Sequence, residues 1–152
     1  MKSPVLKVPF STIVATVDAL RAASTTERVL LWLAERRPDG ALVCEVFVPK
    51  QYAEADYFQI PRSGMEELLQ RLRDRRWMVA AQVHTHPEEA FHSWADDRWA
   101  IVRHAGALSL VVPRFCQGTT ASTFIGDALV FEMTSDNEFV RREPGAAYEI
   151  IP

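Results

Sequence analysis

Apolar positions along this chain follow two different periods. In "MKSPVLKVPFSTIVATVDALRAAS", Phe10, Ile13, Val14, Val17 and Leu20 fall at helical spacing, and Asp18 sits where a signal peptide would need a continuous apolar run. An amphipathic first helix is predicted rather than a leader. In "TTERVLLWLAERRPDGALVCEVFVPK" two apolar runs flank a Pro-Asp-Gly turn, which predicts a hairpin with strands near residues 26–34 and 41–48. "SGMEELLQRLRDRR" aligns Met65, Leu68, Leu69 and Leu72 on one stripe behind Ser63 and Glu66, the pattern of a helix opened by a capping box. "WMVAAQVH" reads as a mostly buried strand. "SWADDRWAIVRHAG" reads as a helix from an N-cap at Ser93 to a C-cap signal at Gly106. "ALSLVVP" is a strand ended by Pro113, "RFCQGTTAST" a loop, and "DALVFEMTS" and "FVRREPGAAYEIIP" carry the last strands. The order predicts one α/β domain over residues 1–152, a mixed sheet with helices packed on it.

Composition narrows the function. A length of 152 residues suits one sizeable core, and 48% hydrophobic with 24% charged residues is that of a globular protein. The net charge of −3 argues against a nucleic-acid footprint; the basic run "QRLRDRRW" alternates with acidic and apolar residues, as a solvated helix face does. No apolar run is long enough to span a bilayer. Two cysteines make no disulfide framework; Cys44, in an alternating apolar run, is expected to be buried, and the setting to be reducing and cytoplasmic.

The chemistry concentrates in "VHTHPEEAFHSWADD", residues 83–97. His84 and His86 are two apart at a strand end, so both imidazoles lie on one face of the sheet. Pro87 turns the chain, Ser93 opens the next helix, and Asp96 falls in its first turn, from which a short loop can return it to the histidines. Two imidazoles, a carboxylate and a water make a tetrahedral zinc site with an open position. Each residue alone has a plainer reading: a strand-end histidine bonded to backbone, a carboxylate favouring a helix N-terminus, a serine N-cap. His92 and Asp97 flank the cluster without an assigned role.

The segment "HTHPEEAFHSWADD" resembles the signature of the JAMM metalloproteases, the JAB1/MPN family: an upstream glutamate, then H-x-H-P, then S-x-x-D. "SLVVPRF" resembles the strand after the active-site helix in bacterial members. One departure is the spacer between Pro87 and Ser93, whose five residues are one fewer than in the best-known eukaryotic members. The resemblance implies an MPN (cytidine-deaminase-like) domain with a mixed, curved sheet. It implies zinc held by His84, His86 and Asp96, and Ser93 as hydrogen-bond donor to the oxyanion of the tetrahedral intermediate. It also implies a glutamate general base. Family members carry that base near the start of the first hairpin strand in a pattern like E-x-x-G-x-L, and "TERVLLWLAE" offers Glu27, with Leu30 where glycine is frequent. Glu27 is preferred to Glu45 in the second hairpin strand; Glu35, beside the turn, is the weakest candidate. No covalent intermediate is needed, so neither Cys44 nor Cys116 is expected to be a nucleophile.

The same resemblance implies a zinc isopeptidase or peptidase that cuts after the C-terminus of ubiquitin or a ubiquitin-like protein. Compact bacterial members are associated with ubiquitin-like conjugation operons, including antiviral ones, or with sulfur-carrier processing. The implied partners are a ubiquitin-like protein or its conjugates, with E1-like and E2-like enzymes; no nucleic acid or membrane is expected. The alternatives are a non-catalytic MPN scaffold that binds partner proteins and a metal hydrolase acting on a non-protein amide.

Overall fold

The protein is seen in a computed structural model that describes residues 5–53, 58–91 and 101–152. Ten strands lie among the described residues, eight of them in one mixed sheet. Its centre is the predicted hairpin, β2 (Val29–Arg37) and β3 (Gly40–Phe47), joined by Pro38 and Asp39 alone, since Arg37 pairs with Gly40. Gly40 has φ +149°, and a Cβ there would lie 2.1 Å from the Val5 carbonyl oxygen, so the turn requires glycine. The crowding strand is β1 (Val5–Pro9), parallel to β3 and absent from the predicted elements. It is five residues long, and its polar Lys7 and flanking prolines hide its period.

β6 (Met78–Thr85) pairs antiparallel with β2. β7 (Leu108–Val112) lies parallel to β6, followed outward by antiparallel β8 (Leu129–Met133) and β9 (Phe139–Arg142). On the other side β10 (Tyr148–Ile151) runs parallel to β1, giving the order β10-β1-β3-β2-β6-β7-β8-β9. Tyr148, at one sheet edge, packs edge-on against Trp32, three strands away, with ring centres 5.6 Å apart. Three flat strand spacings would total about 14 Å, so the sheet curls. β4 (Tyr52–Ala53) and β5 (Phe58–Gln59) form a separate two-stranded ribbon.

Alternation along β2 sorts the core into two layers. Leu30 and Trp32 pack with Ile13, Val17 and Leu20 of α1 (Phe10–Ala22), while Leu31 and Leu33 pack with Leu68 of α2 (Arg62–Arg75) on the opposite face. Short α3 (Phe124–Asp127) and α4 (Pro144–Ala147) precede β8 and β10.

Several expectations need correction. α2 opens at Arg62 after Pro61, with no side-chain cap; Ser63 lies inside the first turn and Glu66 pairs with Arg62 at 3.0 Å. The Pro61 carbonyl already accepts the N–H groups of Gly64 and Met65, which starts the helix without the serine. Leu69, expected on the apolar stripe, is exposed. Cys44 is exposed rather than buried. The β2–β3 register steps from Leu33↔Glu45 to Ala34↔Val43, so Cys44 is the extra residue of a bulge and is displaced from the inward alternation.

Of the helix expected over residues 93–106, residues 93–100 lie outside the described ones, and Ile101–Gly106 is irregular chain with a turn at Ala105 and Gly106. The Ile101 N–H is taken by Gln82 and the Gly106 N–H by the Met133 carbonyl, so these groups serve the sheet rather than a helix. No helix among the described residues is long and apolar enough to cross a membrane.

One buried polar link joins α1 to the sheet. The Trp32 Nε1–H donates to Thr16 Oγ1 at 2.9 Å, and the Thr16 hydroxyl donates to the Thr12 carbonyl at 2.7 Å. Thr16→Val strands the indole N–H in an apolar layer. It is expected to lower unfolding stability by about 1–3 kcal/mol in urea titration, while Thr16→Ser stays close to the parent.

Candidate active site

The site is built by the paired ends of β2 and β6. From Trp32↔Ala81 to Val29↔His84 the antiparallel register is regular. It continues one step through Arg28, whose carbonyl accepts the Thr85 N–H at 3.1 Å. Extended one step further, past the end of both strands, the same register would set Glu27 across from His86. Residues directly opposite in such a pair share a face, and so do alternate residues on one strand. Val29 and His84 lie on the face that carries α2, His86 packs beside His84, and the extended register assigns Glu27 to the same face. All three candidate side chains are buried, with 6% of Glu27, 0% of His84 and 4% of His86 exposed.

The two imidazoles have ring centres 5.2 Å apart. Two imidazoles sharing one tetrahedral zinc ion at about 2.0–2.1 Å from nitrogen place their ring centres about 5 Å apart, so the pair fits a common ion. Among the described residues no group of three His, Cys, Asp or Glu side chains could hold a metal. The remaining expected ligand, Asp96, and the expected oxyanion donor, Ser93, lie outside the described residues, as do His92 and Asp97. Both flanks of that segment are held on this face: Phe91 packs edge-on against His86 at 4.5 Å, and Ile101 is bonded to Gln82 at 2.9 Å.

The structure separates the candidate glutamates by distance. Glu45 stands across from Leu33, four residues along β2 from the partner of His84, which is about 13 Å at ordinary strand rise. It is engaged with Arg71 of α2 at 3.2 Å. Glu35 lies further still, exposed and paired with Arg37 at 3.0 Å. Of the three, only Glu27 lies on the stretch of chain that continues β2 toward the partners of His84 and Thr85.

Main-chain bonds fix His86 from behind. The His86 N–H donates to the Val112 carbonyl at 2.9 Å, and the His86 carbonyl accepts the Phe115 N–H at 2.8 Å. Phe115 belongs to a left-handed turn, Arg114, Phe115 and Cys116, with φ of +53°, +51° and +63°. Non-glycine residues in this region cost roughly 1–2 kcal/mol each. The turn persists because its first two N–H groups bond Glu88 and His86. "RFCQG" reads as a plain loop, since glycine, the usual marker of positive φ, enters only at Gly118.

Three supporting polar residues escaped the sequence reading. Gln82 is buried, donates to Ser109 Oγ at 3.0 Å and accepts from Ile101; a lone amide inside an apolar strand was its signal. Gln51 and Thr85 grip the chain next to Glu27. Thr85 looks like the spacer of H-x-H, and nothing marks Gln51 in its loop.

Comparison with known proteins bears on the fold and the family. By structure the chain is similar to a protein of Desulfitobacterium hafniense solved in solution, with TM-score 0.69 and 16% identity over 97% of this chain and 92% of that one. It is also similar to a JAB1/MPN domain protein of Archaeoglobus fulgidus, with TM-score 0.55 and 13% identity over 98% and 100%. By sequence it is 32% identical over 111 residues to a protein of Sinorhizobium fredii named "Probable metalloprotease", covering 68% of each chain. The chain belongs to the JAMM (JAB1/MPN) metalloprotease family. No family model matches it. The curled eight-stranded mixed sheet is that of the family, and a JAMM-type peptidase acts through a metal ion.

The two cysteines differ sharply in accessibility. Burial pushes the Cys116 thiol up to about 11, with Arg21 pulling it down and Asp127 adding to the rise. Cys116 is wholly enclosed and Cys44 exposed. Alkylation of the native protein near pH 8 is therefore expected to modify Cys44 alone, with Cys116 reacting only after unfolding. Labelling of both in the native state, read by intact mass, contradicts this placement.

Proposed function

We propose that this JAMM protein is a zinc-dependent peptidase that cuts after the C-terminus of a ubiquitin or ubiquitin-like protein. The observation that carries the reading is the shared face of Glu27, His84 and His86 at the paired ends of β2 and β6. His84, His86 and Asp96 hold the metal in this reading. Bound zinc supplies Lewis acidity toward the scissile carbonyl and toward water. Glu27, aimed at the same place from the neighbouring strand, takes a proton from the attacking water and hands it to the leaving amine. Ser93 donates a hydrogen bond to the oxyanion, where charge develops only in the transition state. Burial of the three side chains keeps bulk water from screening them.

The extended, small-residue tail of a ubiquitin-like protein suits what surrounds the site. Gln51 ties the chain to Val29, so β4 begins one residue from the site, and a short ribbon edge can pair with an extended main chain. The partners of such an enzyme are ubiquitin-like conjugates and the E1-like and E2-like enzymes that make them, in a cytoplasmic setting.

The metal and the base are tested together. The purified protein is expected to bind about one zinc per chain. His84→Ala and His86→Ala should lose both zinc and cleavage of a ubiquitin-like fusion. Glu27→Gln should keep zinc and lose on the order of 10²–10⁴-fold in turnover, and Glu45→Gln should remain near the parent. Zinc retained after both histidines are replaced, or turnover lost with Glu45 rather than Glu27, would sink the assignment.

Ser93 has two roles to separate. Glycine caps a helix nearly as well as serine but has no hydroxyl. Ser93→Gly is expected to leave the melting temperature nearly unchanged and to cut turnover by roughly 10²–10³-fold at constant zinc. Parent-like turnover in this variant would leave the hydroxyl as a cap only.

A further inference from the structure

Glu27 lies beyond the end of β2, where the regular ladder stops, yet its position must be fixed to well under an ångström if it is to move protons. What fixes it is a pair of side chains that replace main-chain partners. Across β6, Arg28 and Thr85 face one another. In a regular antiparallel pair of this kind each residue donates its N–H to the other's carbonyl. Here only one of those bonds is made in the regular way, from the Thr85 N–H to the Arg28 carbonyl at 3.1 Å. The Arg28 N–H donates instead to Thr85 Oγ1, also at 3.1 Å. That N–H belongs to the peptide unit joining Glu27 to Arg28. The Thr85 hydroxyl therefore sets the tilt of the peptide plane from which Glu27 departs.

On the other edge of β2, β3 has already ended, at Phe47 opposite Leu31. The carboxamide of Gln51 takes the place of the missing strand. Its Oε1 accepts the Val29 N–H at 2.8 Å and its Nε2 donates to the Val29 carbonyl at 2.9 Å. The same Nε2 donates to the Pro49 carbonyl at 3.0 Å, which orients the amide. Between these two grips the Arg28 guanidinium runs to the other face and donates to the Ala19 carbonyl of α1 at 2.9 Å.

We propose that Thr85 and Gln51 are positioning residues for Glu27, a side-chain splint that extends β2 by two residues past its ladder and aims the carboxylate at the histidine pair. The inference rests on the reading of Glu27 as general base. Neither residue touches the reacting atoms. Thr85 alternates with His84 and His86 and so lies on the face away from them, acting through the main chain. Thr85 is wholly buried, so its hydroxyl has no competing water partner to satisfy.

The test uses the full chain, with and without zinc. Thr85→Val keeps the shape and removes the acceptor; Thr85→Ser keeps the acceptor. In the zinc-loaded protein Thr85→Val is expected to lose on the order of 10–10²-fold in kcat for a ubiquitin-like fusion. KM and zinc content should hold, and Thr85→Ser should recover most of the loss. In the zinc-free protein, amide hydrogen exchange read by NMR should show the Arg28 N–H losing protection by about tenfold in Thr85→Val. Gln51→Ala should do the same to Val29, and it covers the case in which Thr85→Val does not fold.

Parent-like kcat in both Thr85→Val and Gln51→Ala overturns the proposal, as does a serine variant no better than the valine one. Unchanged protection at Arg28 and Val29 overturns it without reference to catalysis. Should the parent protein itself neither bind zinc nor cleave, the reading of Glu27 as base fails, whereas the exchange arm still decides whether the splint exists.

Discussion

The antiparallel pairing of β2 with β6 is the constraint on which the rest of this molecule depends. A strand pair transmits side-chain direction with a period of two, so one residue of slip would send Glu27 to the α1 face while His84 and His86 stayed on the other. The register is held where it matters. Its one irregularity lies further along β2, at Trp32/Leu33, where β6 carries an extra residue; the β2–β3 pairing has another at Leu33/Ala34, where β3 does. From Trp32 back to Val29 there is none. The bulges add twist and curl to the sheet away from the end of β2 that leads to Glu27.

Burial then converts that register into a site. β2 is covered on both faces, by α1 through Leu30 and Trp32 and by α2 through Leu31 and Leu33. Such a strand tolerates no slip, because every shifted residue would exchange one packed layer for the other. The polar groups at its open end sit where apolar layering stops. They are satisfied by Thr85 and Gln51, each of which bonds main chain rather than solvent. The left-handed turn at Arg114–Cys116 completes the support from the β7 side. Its strain is balanced by the hydrogen bonds that hold the carbonyls of Glu88 and His86.

Much of this was legible in the sequence, and the reasons are particular. The hairpin, α1, α2, β6 and β7 announce themselves because each buries one stripe or one continuous run. H-x-H at a strand end fixes two imidazoles on one face by geometry alone, whereas Glu27 is reached only through the family resemblance, with Glu45 beside it as a rival. What stayed hidden depends on partners distant in sequence. β1 is a strand only because β3 and β10 flank it. Ser63 has the composition of a cap, but Pro61 opens the helix first. Cys44 reads as inward by alternation, and a bulge with no sequence marker turns it out. Ile101–Gly106 has helical composition, yet its N–H groups are claimed by Gln82 and Met133. Gln51 and Thr85 are invisible for the same reason: their partners are 22 and 57 residues away.

The central claim is that the paired ends of β2 and β6 present a metal centre of imidazole and carboxylate ligands. X-ray absorption at the zinc edge on the loaded protein reads the ligand atoms without reference to any substrate. The account predicts one ion with two imidazoles at about 2.0–2.1 Å, oxygen filling the remaining positions, and loss of the imidazole signature in His84→Ala. A sulfur shell at about 2.3 Å, or an imidazole signature that survives that substitution unchanged, would contradict it.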